Sequence, residues 1–140
     1  MKIPHADRAK ALVGCRFRPQ GRNARTGLDC LGVVLETFGI AADAARADYL
    51  FRGDHGGELK SGLLVYFRRI SMRQLRSGDL LLLRAAADQF HLAVKSDAGF
   101  IHADAGLRKV VETPGAPRWP VIAMYRRRSR PPRKELQWPR

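Results

Sequence analysis

The chain has 140 residues, 45% of them hydrophobic, and its 26 Lys and Arg against 13 Asp and Glu give a formal net charge of +13. This length suits a single domain that folds without disulfides or a metal, and no apolar run approaches the ~18 residues of a membrane span. The positive charge favours an anionic partner such as nucleic acid, an anionic lipid or an acidic polymer.

The segment that begins at Pro4 and ends before Gly14 predicts a first helix, with Ala9, Leu12 and Val13 facing inward. This segment is basic but lacks the apolar core, of roughly 7–15 residues, that a secretory signal contains. We therefore expect the protein to be made in the cytoplasm without a signal peptide. The polar, Gly-containing residues that follow predict a loop.

Apolar residues at helical spacing predict a second helix over residues 30–38. Asp29 falls at its N-cap, where a short carboxylate accepts hydrogen bonds from free amides, and Gly39 suits a left-handed C-terminal cap. Cys30 is then a residue of the first helical turn.

The second half of the chain changes from helical to strand periodicity. Residues 41–56 are Ala-rich and then polar with glycines, which predicts a short helix or an irregular segment, and Leu59, Leu63, Leu64 and Phe67 form a helical stripe. After the turn signal "RSGD", about five short apolar runs predict strands of a mainly antiparallel sheet. They are "LLLLR", "FHLAVK", "GFIHA", "KVVE" and "VIAMYR". Helices followed by strands indicate an α+β fold.

The C-terminus is rich in arginine and proline. From Arg126 to Arg140 it holds seven basic residues and one Glu. Such a composition resists a packed core, so we predict a folded domain over residues 1–126 and a basic arm over residues 127–140.

Cys30 is open to three interpretations: a core residue, half of a disulfide with Cys15, or a nucleophile. A cytosolic origin argues weakly against the disulfide. As a nucleophile, a thiol in the first turn of a helix would have a lowered pKa, because the helix terminus favours the thiolate. Asp29 and the free backbone N–H of Cys30 mark this terminus as a candidate oxyanion site.

A cysteine nucleophile also needs an imidazole base that a third polar group orients. His91 opens one predicted strand and His102 ends the next, so an antiparallel hairpin would place the two rings side by side. His5 and His55 have no such companion. The alternatives are structural histidines or a zinc site, but the spacing of Cys30, His91 and His102 contains no zinc motif. We predict no metal and no cofactor.

Four blocks, "GLDCLGVVLETFGI", "RSGDLLLL", "HLAV" and "GFIHA", resemble in order the conserved blocks of NlpC-type cell-wall peptidases, which are papain-like cysteine enzymes. The resemblance covers about residues 5–126. It implies a papain-like fold in which N-terminal helices pack on the sheet. It also implies that Cys30 is the nucleophile, His91 the base and His102 the residue that orients the base.

The implied activity is hydrolysis of γ-D-glutamyl to diaminopimelate amide bonds in the stem peptides of peptidoglycan. Leu31, where cell-wall members commonly have Ser, and "RWPVIAMYR" resemble the branch found in phage and gene-transfer-agent tails. The resemblance therefore implies phage-like tail or baseplate partners and a virion location, with action in the periplasm or cell wall.

One departure from the family pattern concerns the segment "GCRF". Phe17 stands where many members have a Tyr whose hydroxyl lies at the active site, and Cys15 stands beside it without an assigned role. A structural tail-tip component with reduced or lost activity is therefore the first alternative. A basic nucleic-acid-binding module is the second. It is disfavoured because the predicted sheet lacks regularly placed aromatics for base stacking.

Overall fold

The computed structural model describes residues 3–41, 51, 53 and 55–130. Most of residues 41–56, where a short helix or an irregular segment is predicted, and the last ten residues of the predicted arm lie outside these ranges. The described helices are α1 (His5–Lys10), α2 (Cys30–Phe38), α3 (Gly56–Tyr66) and a short 3₁₀ helix (Met72–Gln74). The strands are β1 (Arg22–Asn23), β2 (Gly27–Leu28), β3 (Phe67–Ile70), β4 (Leu80–Ala86), β5 (Gln89–Lys95), β6 (Gly99–Asp104), β7 (Lys109–Pro114) and β8 (Val121–Arg127).

Six of the strands form one sheet in the order β3-β8-β4-β5-β6-β7, and every pair of neighbours is antiparallel. The predicted α+β fold is confirmed, with one strand more in this sheet than the sequence indicated. The additional strand is β3, where Phe67 and Ile70 are buried and the two residues between them are exposed. Its sequence does not alternate, so only pairing with β8 reveals it as a strand.

The sheet has two different apolar faces. Alternate residues such as Leu82, Leu92 and Ile101 join the main core, which α1, α2 and α3 cover. The residues between them, including Leu83 and Phe100, form a smaller cluster on the opposite face. This alternation follows from the period of two along a strand.

The first helix is shorter than predicted. From Leu12 onward the backbone bonds run to the third preceding residue, with Leu12 donating to Ala9 and Val13 to Lys10, so the chain tightens into turns after Lys10. Ala9 and Leu12 are buried as expected, but Val13 is 43% exposed. The inward orientation predicted for Val13 is therefore wrong.

The second helix matches its prediction at both ends. It spans Cys30–Phe38, and Gly39 adopts a left-handed conformation with φ 67°. The third helix ends at Tyr66, so Phe67, the last residue of the predicted stripe, begins β3 instead. None of the described helices is long and apolar enough to cross a membrane.

The C-terminal end of β8 is bound tightly to the rest of the domain. The guanidinium of Arg126 bonds both carboxylate oxygens of Asp79, each at 2.8 Å, and Asp79 is only 2% exposed. Arg127 donates to the carbonyls of Phe38 and Tyr66. Strand β8 therefore includes Arg127, the first residue of the predicted arm.

Candidate active site

The N-terminus of α2 is fixed by the carboxylate of Asp29. One oxygen of Asp29 accepts the backbone N–H of Gly32 at 2.8 Å and bonds the Arg22 guanidinium at 2.7 Å. The other oxygen accepts the N–H of Gln20 at 3.0 Å. Asp29 is thus the predicted N-cap, and it also ties the preceding loop to the helix.

Glycine is required where this loop crosses the helix. A Cβ on Gly32 would collide with the carbonyl oxygen of Gly21, and Gly21 in turn accepts the backbone N–H of Asp29. The close approach of two backbones explains why a glycine follows Leu31 inside the first turn. It also places the loop residues 18–22 next to the N-terminus of α2.

The two histidines of the predicted hairpin are neighbours. Nε2 of His91 lies 2.8 Å from Nδ1 of His102, and the ring planes are nearly perpendicular, with centroids 5.0 Å apart. His102 is 3% exposed, while His91 is partly buried. The prediction that β5 and β6 bring these two rings together is confirmed.

The sulfur of Cys30 lies next to the backbone of β5, near the end of the strand that is not paired with β6. The paired register of these strands covers Val94 with Ile101 and Lys95 with Phe100, and it ends before it reaches His91. Helix α2 packs against both strands, and the backbone N–H of Leu92 donates to the sulfur. The thiol is therefore next to the peptide unit that joins His91 to Leu92.

Helix α2 and the imidazoles of His91 and His102 lie on opposite faces of the sheet. Leu92 points into the core beneath α2, so His91, its neighbour on the strand, projects to the other face, as does His102. Where the ladder is intact, the sheet would separate a thiol on one side from a ring on the other. Residues 91 and 92 lie outside the paired part of the β5–β6 ladder.

The pKa of Cys30 differs from the expectation. Burial, together with the negative charge of Asp29, raises the pKa of the thiol to about 12, although Arg22 and the N–H groups of Leu92 and Leu31 act in the opposite direction. The prediction of a lowered pKa is wrong because it considered the helix terminus alone and not the burial of the thiol, which has the largest effect. The carboxylate that caps the terminus is itself a nearby negative charge.

Both imidazoles are shifted toward the neutral form. Burial and the neighbouring His102 lower the pKa of His91 to about 4. Burial also lowers the pKa of His102, and the positive charge of Arg118 acts in the same direction, while Asp104 opposes it. At neutral pH the resting site therefore holds a neutral thiol and two neutral rings.

Trp119 is a residue of this site that the sequence analysis did not single out. Its indole contacts both imidazoles edge-on, with centroids 5.5 Å from His91 and 5.6 Å from His102. Phe100 lies against His102 at 5.0 Å. Trp119 belongs to the segment between β7 and β8, far from the hairpin in sequence, so no local signal connects it with the histidines.

Cys15 and Phe17 belong to the segment between α1 and β1. Both are partly buried against the main core, and Cys15 is a free thiol, as is Cys30. The backbone of Phe17 bridges to Leu28 and donates to the carbonyl of Arg108. The side chain of Phe17 brings no hydroxyl to this region.

A cavity of about 280 Å³ lies beside Phe90, between the start of α3 and the β4–β5 turn. Its lining includes Lys60 and Arg84 but neither Cys30 nor the two histidines. Among the residues that the structure describes, no group of three or more His, Cys, Asp or Glu side chains is arranged as a metal site.

Among the solved structures that share this architecture are two peptidoglycan hydrolases. The NlpC/p60 domain of the peptidoglycan hydrolase SagA aligns with a TM-score of 0.55 at 20% identity, over 79% of this chain and 86% of that one. The peptidoglycan hydrolase RipB from Mycobacterium tuberculosis aligns with a TM-score of 0.59 at 21% identity, over 87% of this chain and 62% of that one. This chain has the NlpC/p60 fold.

The NlpC/p60 fold agrees with the fold that the four sequence blocks imply. No family model and no curated protein matches the chain by sequence. At 20% and 21% identity, the two structural matches establish the fold alone. The assignment to the phage and gene-transfer-agent branch stays a prediction.

Proposed function

We propose that this protein is a cysteine peptidase that hydrolyses the γ-D-glutamyl to diaminopimelate amide bond in peptidoglycan stem peptides. The observation that carries the proposal is the 2.8 Å contact between His91 and His102, together with the backbone N–H of Leu92, the residue after His91, which donates to the sulfur of Cys30. The fold supports it, since both SagA and RipB are described as peptidoglycan hydrolases.

The contact between the imidazoles is compatible with one tautomer of His91 that leaves a base facing the thiol. When Nε2–H of His91 donates to Nδ1 of His102, Nδ1 of His91 carries a lone pair and serves as the base for the thiol. The lowered pKa of His102 keeps its ring neutral and hence able to accept this bond. His102 is the orienting residue in this scheme and His91 the base.

The proposed reaction has two steps, acylation of Cys30 and hydrolysis of the resulting thioester. The thiol proton passes to Nδ1 of His91 as the sulfur attacks the scissile carbonyl, and the imidazolium then gives the proton to the leaving amine, which leaves a thioester on Cys30. Water, deprotonated by His91, next attacks the thioester, releases the carboxylic acid and restores the thiol. The backbone N–H of Cys30, which precedes the first intrahelical bond, is the oxyanion donor.

Phe17 removes one donor that a tyrosine would supply. Loss of a single oxyanion donor costs about 3 kcal/mol of barrier in other hydrolases, which corresponds to a rate lower by roughly a hundredfold. We therefore propose a slow or specialised enzyme, and Phe17→Tyr is the variant expected to increase its kcat.

The proposal is tested with a synthetic stem peptide that contains the γ-D-glutamyl to diaminopimelate bond. Cys30→Ala should abolish cleavage, because it removes the nucleophile. Cys15→Ala is the matched control, since Cys15 is also a partly buried free thiol on the same core, and it should retain most of the activity. Equal losses in both variants would contradict the role given to Cys30.

A structural tail-tip component with the same fold is the second candidate, and the raised pKa of the Cys30 thiol favours it. A thiolate and an imidazolium formed together would stabilise each other, whereas an isolated buried thiol would stay protonated. The two candidates differ in the reaction of Cys30 with iodoacetamide between pH 5 and 10. An enzyme should show alkylation near neutral pH that is lost in His91→Gln, and an inert component should react only at alkaline pH in both proteins.

We further propose that the protein is carried in the tail of a phage or a gene-transfer agent and acts when the particle reaches the cell wall. Leu31 and the segment "RWPVIAMYR", most of which lies in β8, support this branch by their resemblance. The test is to purify particles from a producing culture and to detect the protein in the tail fraction by mass spectrometry. Its presence only in the soluble fraction of the cells would contradict the proposal.

A further inference from the structure

The guanidinium of Arg118 is held directly beside the candidate active site. Its central carbon lies 4.8 Å from the centroid of the Trp119 ring, and that ring contacts both His91 and His102. Stacking of an arginine on an indole is favourable and restricts the side chain. Arg118 is therefore an exposed cation whose position is set by the same indole that packs on the imidazoles.

The segment that carries Arg118 is anchored at both ends. Gly115, with φ 79°, donates to the carbonyl of Ala98, and the carbonyl of Pro120 accepts the backbone N–H of Arg84. These bonds fix the segment to the β5–β6 turn on one side and to β4 on the other. A charge on such a segment is preorganised to bind a ligand.

Arg118 also differs from the arginines that support the fold. Arg22 and Arg126 have carboxylate partners, Asp29 at 2.7 Å and Asp79 at 2.8 Å. Arg118 forms no ion pair with any carboxylate in residues 3–41 and 55–130. The N–H donors of its guanidinium are thus available to bind an anion at the edge of the site.

The proposed substrate contains such an anion. In a γ-linked glutamyl residue the side-chain carboxyl forms the amide, so the α-carboxylate remains free, only a few bonds from the scissile carbonyl. We infer that Arg118 binds this free α-carboxylate and makes the enzyme selective for stem peptides in which it is not amidated. This inference rests on the proposed function and adds a substrate-binding residue to it.

The inference is tested with two synthetic peptides that differ only at this group, one with the free α-carboxylate of D-glutamate and one with the α-amide. For the free acid, Arg118→Gln should raise KM about tenfold, because a charge-assisted bidentate contact is lost. For the amide, KM should change less than twofold. Arg118→Lys keeps the charge without the planar fork and should give an intermediate KM.

The matched control is Arg73→Gln, which removes an exposed cation from the short 3₁₀ helix and should leave both peptides unaffected. An equal effect of Arg118→Gln on both peptides would mean that Arg118 acts through Trp119 and would overturn the inference. An unchanged KM for both peptides would overturn it as well.

Direct binding separates this inference from the proposed function. In the Cys30→Ala protein, calorimetry should show a tenfold preference for the free acid over the amide, and Arg118→Gln should abolish that preference. If the wild-type protein cleaves neither peptide but this preference is measured, the peptidase proposal fails and the role of Arg118 stands. If the Cys30→Ala protein binds both peptides equally or binds neither, the role of Arg118 is refuted.

Discussion

Nε2 of His91 and Nδ1 of His102 are 2.8 Å apart, which is hydrogen-bond distance between two rings on adjacent strands. This contact engages Nε2 of His91, and in the proposed mechanism it leaves Nδ1 to act as the base for the thiol. The two histidines then have different roles although their side chains are identical. His91 would exchange the proton with the reacting groups, and His102 would determine which tautomer His91 adopts.

Substitution of the two histidines should therefore have unequal effects. His91→Ala removes the base and should lower kcat for stem-peptide cleavage about 1,000-fold, within the range typical of acid–base catalysis. His102→Ala should lower kcat less, about 30-fold, and His102→Asn should recover part of the loss because its amide oxygen still accepts from Nε2–H. A larger loss for His102→Ala than for His91→Ala would reverse the assignment.

Removal of the Trp119 indole should change the titration of His91. The indole keeps water from the imidazoles, so Trp119→Ala should raise the pKa of His91 from about 4 toward its value in water, ~6.5. NMR titration of the ring protons in the Cys30→Ala background measures this shift. Met124→Ala is the control, because Met124 packs on the same face of the sheet without a ring contact to either histidine. Equal pKa values in the two variants would contradict the shielding role.

The lowered pKa of His91 also predicts how stability depends on pH. The unfolded chain binds a proton to His91 near pH 6.5, whereas the folded protein does so only near pH 4. This contribution to the free energy of unfolding is complete above pH 6.5 and is lost as the pH falls through 4, by up to about 3 kcal/mol. Comparison of urea unfolding of the wild type and of His91→Gln between pH 4 and 7 isolates the contribution of His91 to the free energy of unfolding. Parallel pH profiles for the two proteins would contradict the prediction.

The buried ion pair between Asp79 and Arg126 should matter for stability. Asp79→Ala leaves the Arg126 guanidinium without its carboxylate at a largely buried position, so the free energy of unfolding should fall by about 3 kcal/mol. Glu112→Gln is the control, because its pair with Lys10 is long, at 3.9 Å, and the Lys10 side chain is 68% exposed. That variant should lose less than about 0.5 kcal/mol in the same denaturation experiment. Similar losses in the two variants would contradict the larger contribution to stability assigned to the Asp79–Arg126 pair.

Features that depend on neighbouring residues were predictable from the sequence. Asp29 and Gly39 are local cap signals, and the bounds of α2 agree with them. The proximity of His91 and His102 also follows from one hairpin, since a short turn connects the strands that carry them. The "RSGD" block also has a structural role, because the carboxylate of its Asp79 binds Arg126 on the distant strand β8.

Features that depend on tertiary packing were not predictable in this way. Strand β3 is defined by its pairing with β8 and not by its own alternation. Trp119 reaches the histidines only because the segment between β7 and β8 folds over that face of the sheet. The pKa of Cys30 was misjudged for the same reason, since its burial depends on strands that lie about 60 residues away.

The most direct test of the account is incubation of the protein with purified peptidoglycan sacculi, followed by mass spectrometry of the released peptides. The account predicts soluble fragments with a new amino terminus at diaminopimelate and a new carboxyl terminus at γ-linked D-glutamate, and none of these fragments with Cys30→Ala. Sacculi that stay intact under conditions where the protein is folded, or the same fragments from the Cys30→Ala protein, would contradict the proposed peptidase.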